Sequence, residues 1–468
     1  MTQHSPPDVA TPATGAISVV RRWFDDGVFR RIFRNTGTLL GGKAVSAVLA
    51  LASLAVTARG LGPELFGMLV LIHTYAKLIG GLTKFQSWQA VIRYGAAALE
   101  RGAPGEVQGL IKFTALLDLA SALVGVVLAV ALAPVVGSWF GLGDDIVSLA
   151  MAYSVLILFT AKATPVGILR LFDRFKLIAM QTTFSPAVSL IGAVMAWASG
   201  GGLEAFLVVW FVAGAVDGIS LGLLGWREAG HQGLLRGMTW SLAGLAAPHN
   251  GIWKFVWSAN IYTSLNAASS HLVTLGVGWL LGPSAAGLFK IASQFASVLV
   301  VPATLLRRAI YPELAKLTAS GGARAVRKIM ARAGAVAGSV AVVAVVVLAA
   351  IGGPLISLTV GDAYLGAYGV LVVLAVATAV SIFGVALDPV FFALGRPDVM
   401  LRVSVIIAAL NLVLVLLFAA EWGLMGVGWA SLVSTLVGVS VLAMLALARL
   451  AKRVQSEAEA AITENQGG

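Results

Sequence analysis

The sequence contains no cysteine, and charged residues make up only 11% of its 468 residues. The absence of cysteine excludes disulfides and thiolate metal sites. A soluble globular chain carries roughly 25% charged residues, so the low charge argues against an ordinary soluble fold. The sequence also lacks a G-x-x-x-x-G-K-[ST] phosphate loop and an H-E-x-x-H motif, which excludes ATP hydrolysis by that route and zincin chemistry. We therefore expect no catalytic residues, no metal site and no cofactor.

Hydrophobic residues make up 59% of the chain, and they form long uncharged runs such as 119–139 and 336–358. Each run is long enough to cross a hydrocarbon core about 30 Å thick as a helix. The runs are continuous rather than alternating, which predicts an all-α integral membrane protein. We predict twelve transmembrane helices, at 36–58, 64–92, 113–134, 147–169, 178–199, 204–226, 256–281, 284–306, 333–353, 368–394, 402–420 and 424–448.

The net charge of +11 could indicate nucleic-acid binding in a soluble protein, but its distribution indicates membrane topology instead. Most Lys and Arg residues fall in the two termini and in alternate loops, whereas the opposite loops carry Arg59 alone among basic residues. Those opposite loops hold acids, such as Glu64 and Asp362. Because positive residues accumulate on the cytoplasmic side, we expect both termini in the cytoplasm and no nucleic-acid partner.

A short motif occurs twice, and it divides the chain into two halves. The triplet Leu-Gly-Pro at 61–63, followed by Gly67, recurs 220 positions later at 281–283, followed by Gly287. Gly-Pro suits a tight turn before a new helix, and the second glycine lets that helix pack closely. Parallel repeats are a common transporter architecture, with the site between the halves.

These patterns give five predicted segments. Residues 36–226 and 256–450 are two six-helix bundles, and residues 227–255 are a cytoplasmic linker between them. Residues 1–35 form a cytoplasmic N-terminal segment, which is either an interfacial amphipathic helix or a disordered basic tail. Residues 451–468 are polar, and we expect them to be disordered.

Five lysines fall inside predicted spans: Lys43, Lys77, Lys84, Lys162 and Lys290. A lysine at the centre of a bilayer costs roughly 2.5–3.5 kcal/mol on insertion scales, so it usually faces a bundle interior or a wet cavity. Spans 1, 2, 7 and 8 carry these lysines or other polar residues on one face, and we expect these four spans to line one cationic cavity. Such a cavity suits phosphate or pyrophosphate.

Several of these assignments have a structural alternative. Lys290 lies near the far surface and could snorkel out of the membrane. Lys43, Lys77 and Lys84 could likewise snorkel towards the cytoplasm. Arg307 and Arg308 are either ligands at the cytoplasmic mouth or ordinary positive-inside anchors. The candidates for coupling or gating are His73, Asp217, His271 and Asp388. The two aspartates could instead be salt-bridge partners, and the two histidines could be packing residues.

The segment 57–67, Thr-Ala-Arg-Gly-Leu-Gly-Pro-Glu-Leu-Phe-Gly, resembles the bacterial polysaccharide transporters. These are the O-antigen or oligosaccharide-lipid flippases of the multidrug/oligosaccharidyl-lipid/polysaccharide superfamily. The resemblance implies two six-helix bundles in a V around a central cavity, in a multi-pass protein of the bacterial inner membrane. It implies that undecaprenyl-pyrophosphate-linked oligosaccharide moves from the cytoplasmic to the periplasmic leaflet by alternating access, for exopolysaccharide, capsule or O-antigen assembly.

The same resemblance implies coupling to an H⁺ or Na⁺ gradient or to the membrane potential. The expected partners are the lipid-linked glycan, membrane lipids, and the polymerase and glycosyltransferases of polysaccharide assembly, with the protein itself a monomer. Two other functions compete with this one. A cation-coupled multidrug exporter of the same superfamily is disfavoured because the charge inside the first span is Lys43 rather than an acid. A membrane-embedded enzyme of polysaccharide assembly is expected to carry a large periplasmic loop, which the sequence does not have.

Overall fold

The computed structural model describes residues 27–238, 252–319 and 322–466, with most of their side chains, and is all-helical over those ranges. Two of its helices are too long for a single crossing. Gly27–Thr83 has 57 residues and Pro397–Gln466 has 70, whereas about 20 residues cross a bilayer. Each is interrupted by a glycine in the left-handed region, Gly62 (φ 71°) and Gly423 (φ 57°). Each long helix therefore contains two spans.

The described residues form six spans in each half of the chain. Spans 1 to 6 are 27–61; 63–83 with Ser87–Glu100; Pro104–Trp139; Asp144–Ser154 with the 3₁₀ helix Val155–Thr160 and Ala163–Leu171; Phe175–Gln181 with Phe184–Ala198; and Leu203–His231. Spans 7 to 12 are Ile252–Leu281; Pro283–Ser297 with Val300–Ala319; Ala323–Thr359; the 3₁₀ helix Asp362–Ala367 with Tyr368–Phe383 and Leu387–Ala393; 397–422; and 424–466. The prediction of twelve membrane helices is confirmed.

Five spans are interrupted near their middle, which the sequence analysis did not predict. In spans 4, 5, 8 and 10 the helix that follows the interruption has proline as its third residue: Pro165, Pro186, Pro302 and Pro389. Proline is tolerated in the first turn of a helix, but it has no N–H for a preceding turn and clashes with it. The interruption in span 2, at 84–86, contains no proline. Non-helical backbone at membrane depth occurs where it is buried in protein or lines a cavity.

The two halves share one hydrophobic core at one end of the molecule. We call the end that holds residues 61–63 and 281–283 the Gly-Pro end, and the opposite end, which holds Arg101 and Arg324, the basic end. At the Gly-Pro end a single buried cluster takes side chains from both halves, among them Leu54, Phe66, Leu69, Val277, Phe289 and Ile356. Towards the basic end each half has its own cluster. The halves therefore diverge towards the basic end, and the predicted two-bundle architecture is confirmed.

A further contact between the halves lies outside the shared core. Ile252, at the start of span 7, belongs to a buried cluster with Leu110 and Phe113 of span 3. The neighbouring Trp253 packs edge-to-face on Phe113, with ring centroids 5.1 Å apart. The start of the second half thus remains attached to the first half.

The repeated motifs pack against each other at the Gly-Pro end. A Cβ atom added to Gly67 would lie 1.8 Å from the carbonyl oxygen of Pro283, and one added to Gly287 would lie 2.9 Å from that of Pro63. Each glycine thus lies against the proline of the other half. Gly62 and Gly282 have nearly the same backbone angles, with ψ 171° and 172°, so the two turns are also alike in conformation.

Three predictions about the chain ends and the linker need correction or fall outside the described residues. Span 12 continues to Gln466, so the prediction of disorder is wrong for 451–466, a stretch rich in the helix formers Ala, Glu and Gln. The helix of span 1 begins at Gly27 and is continuous, so no separate interfacial helix exists over 27–35. Residues 1–26, and residues 239–251 of the predicted linker, lie outside the described residues.

Candidate functional site

A cavity of about 410 Å³ lies between the two halves, close to the shared core. It is lined by span 2 and span 6 from the first half and by spans 7, 8, 11 and 12 from the second. Four of its lining side chains can carry positive charge: His73, Lys77, His271 and Lys290. No aspartate or glutamate is among the lining residues that the structure describes. The cavity is therefore electropositive.

The two lysines of the cavity come from different halves. Lys77 belongs to span 2 and Lys290 to span 8, the two spans that cross at the Gly-Pro end. The Lys77 side chain is exposed to the cavity and Lys290 is half-buried. Neither forms a salt bridge with a described residue. Lys290 thus lines the cavity, and the alternative that it snorkels to the surface does not describe this structure.

His73 is held in place by aromatic neighbours from the first half. Its Nδ1 atom lies 2.6 Å from the hydroxyl oxygen of Tyr153, a buried residue of span 4. Its ring packs edge-to-face against Trp210 of span 6, with centroids 4.9 Å apart. The hydrogen bond and the ring contact fix the orientation of the His73 and Trp210 rings, which both line the cavity.

Lys162 is paired rather than open to the cavity. Its ammonium forms an ion pair with Asp217 of span 6, and Gln181 of span 5 donates to Asp217 Oδ1 at 3.0 Å. Lys162 lies at the interruption of span 4, between Thr160 and Ala163. Asp217 therefore forms a salt bridge, which is the structural alternative that the sequence analysis gave for this residue.

Lys84 lies at the interruption of span 2, on the basic-end side of Lys77. Its ammonium is attracted by the carboxylate of Asp118 and repelled by the ammonium of Lys77. Asp118 is 3% exposed and accepts hydrogen bonds from Ser87 Oγ and, at 2.7 and 2.8 Å, from the backbone N–H and the hydroxyl of Thr164. Asp118 thus joins spans 2, 3 and 4, and Lys84 lies beside that junction rather than among the cavity-lining residues.

Arg307 lies away from the main cavity. Its guanidinium donates to Asp388 Oδ2 at 3.1 Å, within a separate cavity of about 150 Å³ formed by spans 8, 10 and 12. Asp388 is therefore paired, although with an arginine rather than with one of the predicted lysines. The side chains of Lys43 and Arg308 lie outside the described residues.

The prediction that span 1 lines the cavity is wrong for the residues described. Ser46 Oγ donates to the carbonyl oxygen of Thr182 at 2.7 Å, and Ser53 Oγ lies 2.7 Å from Ser189 Oγ. The polar stripe of span 1 therefore packs against span 5, because small polar residues also serve as helix–helix contacts in membranes. Polarity alone does not distinguish a helix face that lines a cavity from one that packs against another helix.

The uncharged part of the cavity lining was not predicted from the sequence. Trp210 of span 6, Asn411 of span 11 and Ser431 of span 12 all line the cavity. An asparagine in a membrane span was an available signal, since polar side chains in spans find partners or face cavities. Trp210 carried no such signal, because tryptophan is equally compatible with a lipid-facing position.

Sequence comparisons with known proteins identify relatives of this chain. The protein family described as "Polysaccharide biosynthesis protein" matches residues 32–318. "Inner membrane protein YghQ" of Escherichia coli (strain K12) is 37% identical over 351 residues, which cover 75% of this chain and 98% of that protein.

Two solved structures share the fold. An inward-facing MATE family transporter of the MOP superfamily has a TM-score of 0.71 at 14% identity, over 87% of this chain and 96% of the other. The lipid II flippase MurJ, in an inward closed conformation, has a TM-score of 0.66 at 15% identity, over 86% of each chain.

The comparisons confirm the resemblance drawn from residues 57–67 and the twelve-helix fold of two bundles. The protein is a multi-pass protein of the inner membrane. Its sequence from residue 32 to 318 and its relation to the Escherichia coli protein lead to one assignment: the chain belongs to the family of polysaccharide biosynthesis proteins.

Proposed function

We propose that this protein is a flippase that moves undecaprenyl-pyrophosphate-linked oligosaccharide across the bacterial inner membrane. The observation that carries the proposal is the pair Lys77 and Lys290, which brings two ammonium groups from opposite halves to one cavity without a carboxylate in its described lining. Ammonium groups bind phosphate oxygens through charge-assisted hydrogen bonds. Because the two lysines belong to different halves, movement of the halves would separate them and release the headgroup.

The proposal includes an orientation. The basic end, with its excess of Lys and Arg, faces the cytoplasm, and the Gly-Pro end faces the periplasm. Both termini are then cytoplasmic. The packing of Gly67 on Pro283 closes the periplasmic side, and the diverging halves leave the cytoplasmic side as the route for the substrate. Alternating access would then require the Gly-Pro end to open while the halves close together at the basic end.

The membrane potential supplies a driving force in this scheme. A pyrophosphate headgroup is anionic, and moving one elementary charge across 100 mV is worth about 2.3 kcal/mol. The cytoplasm is the negative side, so the potential favours outward movement of the headgroup. Asp217 and Asp388, the carboxylates predicted as sites for H⁺ or Na⁺, are each paired with a basic side chain, and a coupling ion would have to displace that partner.

A multidrug exporter is the main competing function, because a MATE transporter shares the fold. Organic cations would meet the ammonium groups of Lys77 and Lys290 in the cavity and no described acidic residue. Like charges repel strongly in such a low-dielectric site. The charge of the cavity therefore favours the anionic substrate.

The experiment that tests the proposal measures translocation of a pyrophosphate-linked glycolipid in proteoliposomes. Lys77→Ala and Lys290→Ala should each lower the rate about 10- to 100-fold, since a hydrogen bond to a charged group is worth about 1.5–3 kcal/mol. Lys328→Ala is the matched control, because Lys328 is exposed at the basic end, and it should transport at the normal rate.

Lys77→Arg keeps the positive charge and should retain more activity than Lys77→Ala. Transport at the wild-type rate by the double variant Lys77→Ala/Lys290→Ala would contradict the proposal. Efflux of a cationic dye by the wild-type protein, without glycolipid translocation, would support the exporter instead.

A further inference from the structure

The cavity lining has two chemically different parts: the two lysines, which we call the lysine wall, and three uncharged side chains from both halves, which we call the uncharged wall. Trp210, Asn411 and Ser431 lie on spans 6, 11 and 12, whereas the lysines lie on spans 2 and 8. None of these three side chains carries charge. A pyrophosphate group binds cations and hydrogen-bond donors, so it can use at most the N–H groups of Trp210 and Asn411. It leaves the indole face and the Ser431 oxygen without a partner.

Two hydroxyl groups of the cavity offer acceptors rather than donors. Ser431 Oγ donates to the carbonyl oxygen of Val427 at 2.9 Å, and Ser293 Oγ donates to that of Lys290 at 3.0 Å. Each hydroxyl proton is therefore engaged within its own helix, and lone pairs of the oxygen remain available. Phosphate oxygens cannot donate to these lone pairs, but the hydroxyl groups of a sugar can.

Asn411 adds a positioned amide to the same wall. Its Oδ1 atom accepts a hydrogen bond at 2.9 Å from Ser434 Oγ, a residue of span 12 that is 3% exposed. This bond fixes the amide plane and leaves the other end of the amide for a ligand in the cavity. A few precisely placed polar groups of this kind fix the orientation of a bound ligand.

Trp210 supplies an apolar surface of fixed orientation. Its indole packs edge-to-face on His73, which is in turn bonded to Tyr153. The C–H face of a pyranose ring is apolar and fits against such an aromatic surface, while the hydroxyl groups at its rim reach polar neighbours. The volume of about 410 Å³ is of the size that holds small ligands, and a long oligosaccharide would extend beyond it.

We infer that Trp210, Asn411 and Ser431 form a subsite for the sugar residue that is joined directly to the pyrophosphate. The inference rests on the proposed function and extends it from the headgroup to the glycan. The lysine wall would hold any polyprenyl pyrophosphate, and the uncharged wall would distinguish a glycosylated one from a bare one. The remaining sugars extend towards the open basic end.

The test compares the binding of two probes to the full-length protein in detergent. One probe is undecaprenyl pyrophosphate, and the other is the same lipid with one N-acetylhexosamine attached. Trp210→Ala and Asn411→Ala should each weaken binding of the glycosylated lipid about five- to tenfold and leave binding of the bare lipid unchanged. Lys77→Ala should weaken binding of both lipids.

Three controls keep the outcome interpretable. Trp210→Phe keeps an aromatic surface and should recover most of the affinity for the glycosylated lipid. Trp279→Ala removes an exposed tryptophan of span 7 outside the cavity and should change neither affinity. Thermal unfolding of each variant shows that the chain is folded.

The result separates the two proposals. Equal weakening of both lipids by Trp210→Ala and Asn411→Ala, or no weakening of either, would overturn the sugar subsite and leave the flippase proposal standing. Failure of the wild-type protein to bind either lipid would instead overturn the flippase proposal on which the subsite rests.

Discussion

The ion pair between Lys162 and Asp217 stabilises the first half at the interruption of span 4. The two side chains are 22% and 32% exposed, so solvent screens them only in part. Removal of one partner leaves the other charge inside the bundle without compensation. The pair is therefore a structural element close to the cavity, and each member depends on the other.

We expect Lys162→Met to lower the free energy of unfolding by about 2 kcal/mol, less than the 3–5 kcal/mol typical of a fully buried pair. The double variant Lys162→Met/Asp217→Asn removes both charges and should recover at least half of the loss. Thermal unfolding in detergent measures both effects. A single variant as stable as the wild type would show that solvent already screens the pair completely.

Some site residues could be predicted from the sequence because charge inside a membrane span is conspicuous. His73, Lys77, His271 and Lys290 were selected by helical phase, and the structure brings all four to one cavity; their role stays a prediction. The partners of Lys162 and Arg307 lie 55 and 81 residues away. Helical phase describes one helix at a time, so it does not predict which distant helix supplies a partner.

At the scale of helices, the crossing of spans 2 and 8 depends on Gly67 of span 2 and Gly287 of span 8. A Cβ atom on Gly67 would lie 1.8 Å from a backbone oxygen of the other half, and backbone cannot move aside as a flexible side chain can. The same span contains Gly81, around which no atom lies within 4 Å of an added Cβ. The two glycines of one helix thus differ completely in their surroundings.

We expect Gly67→Ala to force spans 2 and 8 apart and to lower the free energy of unfolding by about 1–3 kcal/mol, the usual cost of overpacking. Gly81→Ala is the matched control and should be neutral or slightly stabilising, because alanine favours helix over glycine. Thermal unfolding of both variants is the measurement. Equal stability of the two variants would contradict the close crossing.

The number of helices and their division into two bundles were predictable, but their interruptions were not predicted. Continuous apolar runs and the two Leu-Gly-Pro turns determine the twelve spans. The signal for the interruptions was nevertheless present, because a proline inside a helical pattern ends or kinks the helix before it. Pro165 and Pro389 lie within predicted spans, and apolar run length alone does not detect a break.

At the scale of the whole molecule, the halves are joined on one side of the cavity by contacts that opening must break. The guanidinium of Arg59 in span 1 donates to the carbonyl oxygens of Ser357 and Leu358, at the end of span 9. A cation at the C-terminal end of a helix also interacts favourably with the helix dipole. The buried hydroxyl of Tyr364 donates to the carbonyl oxygen of Ala58 at 2.8 Å.

We expect a covalent link across this seam to stop transport. Arg59→Cys and Leu358→Cys place thiols at two exposed positions in opposite halves, and the absence of native cysteine lets a short bifunctional thiol reagent join only these two. Because the link holds the Gly-Pro end closed, glycolipid translocation should fall to background after treatment, while glycolipid binding should persist. The untreated double variant and the treated single-cysteine variants should keep transporting. Wild-type rates in the fully linked protein would show that the halves need not separate at the Gly-Pro end, and an alternating-access mechanism would then require a different seam.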